Sequence, residues 1–205
     1  MNCNLYKAQT YDFSSNFSLD IEGFPGWKLI PVGPWLLQRG DWVENMVRAR
    51  ALNMESFFSR FHPTVSSMKN YLLDGAISDS KKILFCVISP EESFLGHMGL
   101  KIIDSKHHAV DNVMRFEVRI PDLMQVSLKE VLRWSGFNSS VSKFSLEVIS
   151  TNSKAIRFYE KVGFQITQHI PLRQVTSEDG VMSLVDDFGD DPLNGPFKLV
   201  MEKYL

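Results

Sequence analysis

The run from Phe144 to Phe164, FSLEVISTNSKAIRFYEKVGF, restricts the fold of this chain more than any other stretch. Phe144 to Ile149 alternate and are rich in β-formers, which predicts a strand. Thr151 or Asn152 then offers a side-chain oxygen to the bare amides of a following helix. Ala155, Phe158, Tyr159 and Val162 recur at helical spacing, giving one apolar face to a helix that runs to about Val162. Gly163 suits the left-handed residue that closes a helix, and Phe164 opens another strand. A strand, turn and helix of this kind present amides to an anion and hold one tyrosine at a fixed height above a strand end. Singly, Tyr159 reads as a core aromatic and Asn152 as a cap; the set together says more.

Composition excludes several classes of function. A chain of 205 residues, 44% hydrophobic and 22% charged, supports one substantial core. A net charge of −2 without a basic cluster leaves no footprint for a nucleic-acid backbone. Cys3 and Cys86 lie far apart, one near a tail and one in a predicted strand, so a reducing cytoplasm is expected rather than a disulfide framework. The N-terminus lacks an apolar signal core and the longest apolar run, Ile83 to Ile88, is too short for a bilayer, so no membrane partner is expected. The five histidines show no metal-ligand spacing, and no metal is expected.

Residues 1–26 read as an N-terminal arm or an extra edge strand, with a short strand at Phe17 to Ile21, and residues 27–205 as a single domain. Trp27 to Val32 is the first strand of that domain. Asp41 with Glu44 predicts a capping box for a helix through about Leu52. A second helix follows Pro63, carries Val65, Met68 and Leu72, and stops near Gly75. Lys82 to Ile88 and Phe94 to Ile103 form a strand pair, the second weakened by Gly96 and Gly99 on either side of His97. Ala109 to Met114 is the next strand. Asp122 with Gln125 predicts a cap for the helix Leu123 to Trp134, whose apolar stripe is Met124, Leu128, Val131 and Leu132. Gln165 to Ile170 and Phe197 to Tyr204 are the last strands, and the acidic segment between them reads as a flap or a disordered loop.

Asn152, Ala155, Tyr159, Gly163 and Phe164, in the order N-x-x-A-x-x-x-Y-x-x-x-G-F, resemble the C-terminal signature of the Gcn5-related N-acetyltransferase (GNAT) superfamily. The resemblance covers this segment sharply and residues 27–205 more loosely. It implies an α/β (α+β) three-layer fold, a mixed central sheet of roughly six to seven strands with helices on both faces, and a splayed strand pair that takes an acyl-coenzyme A co-substrate. By the same resemblance the 109–114 strand borders the splay. Its amides pair with the pantetheine arm and stabilise an oxyanion, with Val113 and Met114 alongside the cofactor. Tyr159 would stabilise the leaving thiolate. With a phenol near pKa 10 and a thiol near 8.5, full transfer is uphill by roughly 2 kcal/mol in water, which favours a hydrogen bond to sulfur. Asp111 is the first choice of base, with His97, Asn112 through a water, or Glu117 behind it. Adjacent strand residues face opposite sides, so only one of Asp111 and Asn112 points into the site.

The chain departs from the family where a glycine-bearing loop normally wraps the pyrophosphate. Residues 115–124 contain no glycine, so Arg115 and Arg119 are expected to supply charge, together with Asn152, Ala155 and Phe158 of the following turn. Asp122 would put a carboxylate where the phosphate belongs unless it turns away. By the same resemblance, the two helices after the first strand and the loop between them are expected to form much of the site for a small-molecule amine acceptor, toward which Arg48, Arg50, Arg60 and His62 are candidates for a phosphate-bearing group. Architecture most resembles members acting on nucleotide-linked amino sugars for surface polysaccharides. A small-amine or antibiotic acetyltransferase and a non-catalytic binding module are the alternatives. Homodimers are common in such families, and no residue here specifies one.

Overall fold

The computed structural model describes residues 17–116, 120–189 and 195–205. An edge hairpin, β1 (Leu19–Ile21) and β2 (Phe24–Pro31), leads through a 3-10 turn at Pro34–Gln38 into helix α1 (Gly40–Leu52). A two-residue strand β3 (Ser59–Arg60) precedes α2 (Val65–Asn70), which widens into a π-helical turn over Tyr71–Ile77. Strands β4 (Lys82–Ile88), β5 (Phe94–Ile102) and β6 (His107–Arg115) follow, then α3 (Leu123–Asn138), β7 (Lys143–Ile149), α4 (Ser153–Val162), β8 (Gln165–Thr176), β9 (Met182–Asp186) and β10 (Phe197–Tyr204). They build one mixed sheet in the order β1-β2-β4-β5-β6-β7-β10-β8-β9-β3. The ten strands exceed the expected six to seven because β1, β3 and β9 extend the two edges.

Both faces of the central sheet are covered, which explains why β4 reads as an unbroken apolar run. Ile83, Phe85 and Val87 pack with Leu128, Val131 and Phe144 on the α3 and α4 side. Leu84, Cys86 and Ile88 pack with Trp42, Val43, Met46 and Leu72 beneath α1 and α2. Each fully buried large side chain, Phe85 and Phe144 among them, contributes about 1.5–3 kcal/mol. Among the described residues no helix is long and apolar enough to cross a membrane.

Several local expectations are corrected. The Asp41–Glu44 box does not form, because the preceding 3-10 turn runs directly into α1 and the amides of Trp42 and Val43 already bond the Arg39 carbonyl. The box lies instead on α2, where Thr64 Oγ1 accepts from the Ser67 amide and Ser67 Oγ accepts from the Thr64 amide. The segment read as a flap or disordered loop contains a strand: β9 pairs with the second half of β8 on one edge and with β3 on the other. β8 also runs past the predicted end at Ile170. Pro171, which lacks an N–H, falls where β8 stops pairing with β10 and starts pairing with β9.

Candidate active site

β6 and β7 start as parallel neighbours and then part. Their register covers His107 with Lys143, His108 with Phe144 and Ala109 with Ser145, and no further pair follows although each strand continues to Arg115 and Ile149. Beyond Ala109, β6 remains paired with β5 while, among the described residues, no strand pairs with its other edge. Phe116 N–H bonds the Leu95 carbonyl, so by antiparallel alternation the Arg115 amide and carbonyl face the open edge. The expected splayed pair is therefore present.

α4 follows directly on β7, the strand that parts from β6, and its geometry is set by its own termini. Asn152 Oδ1 accepts from the Ala155 amide at 3.1 Å, which assigns the cap to Asn152 rather than Thr151. Gly163 takes φ 101°, its amide bonds the Glu160 carbonyl and the Phe164 amide bonds the Tyr159 carbonyl, a Schellman closure. Tyr159 is thereby fixed by its main chain, and its half-buried ring packs edge-on against Phe158 at 5.1 Å and Phe164 at 6.1 Å. Val113 on β6 and Ala155, Phe158 and Tyr159 on α4 all border the core cluster on the α3 and α4 side. Met114 is buried beside them in sequence.

Asp111 pairs with Gly99, which pairs with Leu84, so its side chain lies on the α1 and α2 face of the sheet. Its charge reaches two phenols. Burial first, and the Asp111 charge second, raise both Tyr159 and Tyr71 far above the usual phenol range. The Arg50 guanidinium partly opposes this at Tyr71. Both hydroxyls therefore remain protonated donors. Sequence reasoning passed over Tyr71, which lies in the π-helical turn. Its ring lies against Gly75, four residues on, where a Cβ would come 3.3 Å from Tyr71 Cδ2, a packing that only the structure reveals.

Asn112 does not act as a simple strand residue. Gly99 faces Asp111 while His97 faces Met114, so β6 carries one extra residue at this point, and Asn112 adopts φ 51°. Its main-chain carbonyl lies 2.7 Å from His97 Nδ1. His97 is 4% exposed, and burial lowers its pKa to about 4 against the opposing effect of this hydrogen bond. Enclosed, weakly basic and bonded through Nδ1, the His97 ring is poorly suited to the role of base that the sequence allowed it. Glu117, the other alternative, lies outside the described residues, as does Arg119.

The end of β6 differs from expectation in two respects. Asp122 takes φ 58° and makes no side-chain bond to α3, so the predicted Asp122–Gln125 cap is absent. Leu123 N–H bonds the Pro121 carbonyl, and no Asp122 side-chain bond covers the amides that follow it. Exposed Arg115 borders a cavity of about 260 Å³ with Asn45, Arg48, Asn53 and Phe116, against α1. Arg50 and Arg60 are engaged inside the protein. Arg50 donates to the Ser59 carbonyl and stacks on Phe57, and Arg60 pairs with Glu55 at 2.6 Å. That occupation removes the main reason for reading them as phosphate ligands. A larger cavity of about 440 Å³, bordered by Lys129, Arg133, Phe137 and Lys203, contains none of these site residues. Among the described residues no three His, Cys, Asp or Glu side chains converge as a metal site would require.

No family model matches the sequence. No curated protein matches it either. Solved structures do. Spermidine N-acetyltransferase from Vibrio cholerae, in complex with coenzyme A and spermine, aligns over 87% of this chain and 95% of its own, with a TM-score of 0.65 and 14% identity. A GNAT-family acetyltransferase from Bacillus anthracis aligns over 92% and 98%, with a TM-score of 0.67 and 10% identity. The ribosomal L7/L12 α-N-protein acetyltransferase RimL aligns over 95% and 99%, with a TM-score of 0.69 and 9% identity.

Proposed function

We propose that this chain, whose fold is that of the Gcn5-related N-acetyltransferases, moves an acyl group from a coenzyme A thioester to a primary amine. The observation that carries the reading is the arrested pairing of β6 with β7, bordered by Tyr159 on one side and Asp111 on the other. A strand with one free edge accepts an extended amide-bearing chain as it would another strand, which suits pantetheine. Val113, Met114 and Arg115 on β6, and Ala155 and Phe158 on α4, are the residues that would flank it. The α3 amides after Leu123, to which the Asp122 side chain makes no bond, suit the pyrophosphate without glycines. Asn152 acts there through its cap, which holds the start of α4, rather than through a free side chain.

Roles follow from the electrostatics. Asp111 takes the proton of the attacking amine. Tyr159, held protonated, donates a hydrogen bond to the departing sulfur instead of giving up its proton. Tyr71 feels the same carboxylate, and its buried, protonated hydroxyl is a second donor near the site. Main-chain amides of β6 meet the developing oxyanion.

The acceptor is read as a primary amine; a nucleotide-linked amino sugar is the narrower reading, weakened by the engagement of Arg50 and Arg60. Thermal unfolding with acetyl-coenzyme A tests the donor half, because a ligand bound only by the folded state raises the midpoint. No rise with acetyl or longer acyl thioesters would favour a non-catalytic module. Thiol release across a panel of polyamines, peptide N-termini and nucleotide-linked amino sugars then identifies the acceptor.

A further inference from the structure

We propose that His97 is a positioning residue of this site: its buried ring, bonded to the Asn112 carbonyl, holds the β6 bulge so that the Val113 N–H faces the gap between β6 and β7. A carbonyl can only accept, so Nδ1 carries the hydrogen and the 2.7 Å contact assigns the tautomer. The ring is neutral across the ordinary working range, because burial lowers its pKa to about 4. Asn112 at φ 51° is in a region that residues with a Cβ avoid unless their surroundings impose it.

The planar trans peptide converts this anchor into an aim. Its C=O and N–H point in opposite directions, so drawing the Asn112 carbonyl toward a residue of β5 turns the next amide away from β5. That is the side from which β7 has parted. The neighbours of His97 serve the same geometry. A Cβ at Gly96 would fall 2.5 Å from the Met114 carbonyl, and one at Gly99 would fall 2.8 Å from the Ile83 carbonyl and 3.2 Å from that of Asp111. Both glycines let β6 approach closely enough for the ring to reach it. Phe116, edge-on to the imidazole at 5.9 Å, closes the other side.

The catalytic consequence rests on the acyl-transfer reading above; the conformational one does not. The test compares His97→Leu, which fills the space without a donor, with His97→Asn, whose amide nitrogen sits near the position of Nδ1. In His97→Leu, kcat per folded molecule should fall about ten- to hundredfold with KM for acetyl-coenzyme A within about threefold, and His97→Asn should recover most of the loss. Crystal structures of the variants should show Asn112 leaving positive φ in the leucine protein and keeping it in the asparagine one. Equal kcat in the two variants, or a bulge intact in His97→Leu, overturns the proposal. Should the leucine variant not fold, His97→Gln replaces it, since its longer amide misses the Nδ1 position; parity between Gln and Asn is then the overturning result. If the unaltered protein transfers no acyl group, the functional reading falls while the Asn112 conformation still decides the role of His97.

Discussion

The two sides of the candidate site are held in different ways. On α4, Tyr159 is placed by bonds that span only a few residues, from the Asn152 cap to the Gly163 closure. On β6, Asp111 and Asn112 are placed by a distant part of the chain, His97 and Gly99 on β5. Local bonding makes one side a self-contained bracket, whereas the other exists only after the sheet has assembled. Substitutions on α4 should therefore act on single functions, and those around the bulge should disturb stability and chemistry together.

The largest expected effect tests the self-contained side. Tyr159→Phe should lower kcat about 100- to 1000-fold and leave KM for acetyl-coenzyme A and the unfolding midpoint nearly unchanged. A parallel fall in stability would mean that the bracket is not independent. Acidification tests the assembled side. An unfolded histidine gains a proton below about pH 6.5, whereas the folded His97 ring resists it until about pH 4. The unfolded state therefore binds the extra proton between these values, and stability drops as pH falls through that window, by about 3 kcal/mol from this group. Buried or partly buried His108 and His107 are shifted downward as well and add in the same direction. Denaturant titrations from pH 7 to pH 4 should show the slope, and His97→Asn should flatten it.

Smaller effects sharpen the contrast. Gly96→Ala pushes a Cβ into the Met114 carbonyl and should lose about 2 kcal/mol of stability and some turnover together. Asn152→Ala removes only a cap, at about 1 kcal/mol by thermal or chemical unfolding. Combined, the two should add to within about 0.5 kcal/mol; strong coupling between them would erase the distinction drawn above.

The same distinction governs what could be read before the fold was known. Lys82–Ile88, Phe197–Tyr204 and the end of α4 at Val162 fall where periodicity and a closing glycine put them, because those signals are local. The bulge was not legible, since an extra residue in β6 exists only relative to β5. β3 was not legible either: two residues show no period, and the partner Met182 of Arg60 lies far along the chain. Asp122 shows a third kind of miss. Its spacing to Gln125 fits a capping box, but the approach from Pro121 leaves it at positive φ with no side-chain bond to the helix. Tyr71 was hidden because its position follows from a π-helical turn inside a segment that reads as ordinary helix.

β9 stitches the chain's carboxyl-side ribbon to the loop between α1 and α2, with Leu184 N–H bonding the Phe58 carbonyl at 2.7 Å and Lys198 Nζ tying Asp186 back to Glu147. A loop clasped in this way moves only with the strand that holds it, since freeing it would mean unzipping β9 from β3. The far edge of the sheet thus holds that loop to the body of the fold, and its freedom is set by strand pairing rather than by its own sequence.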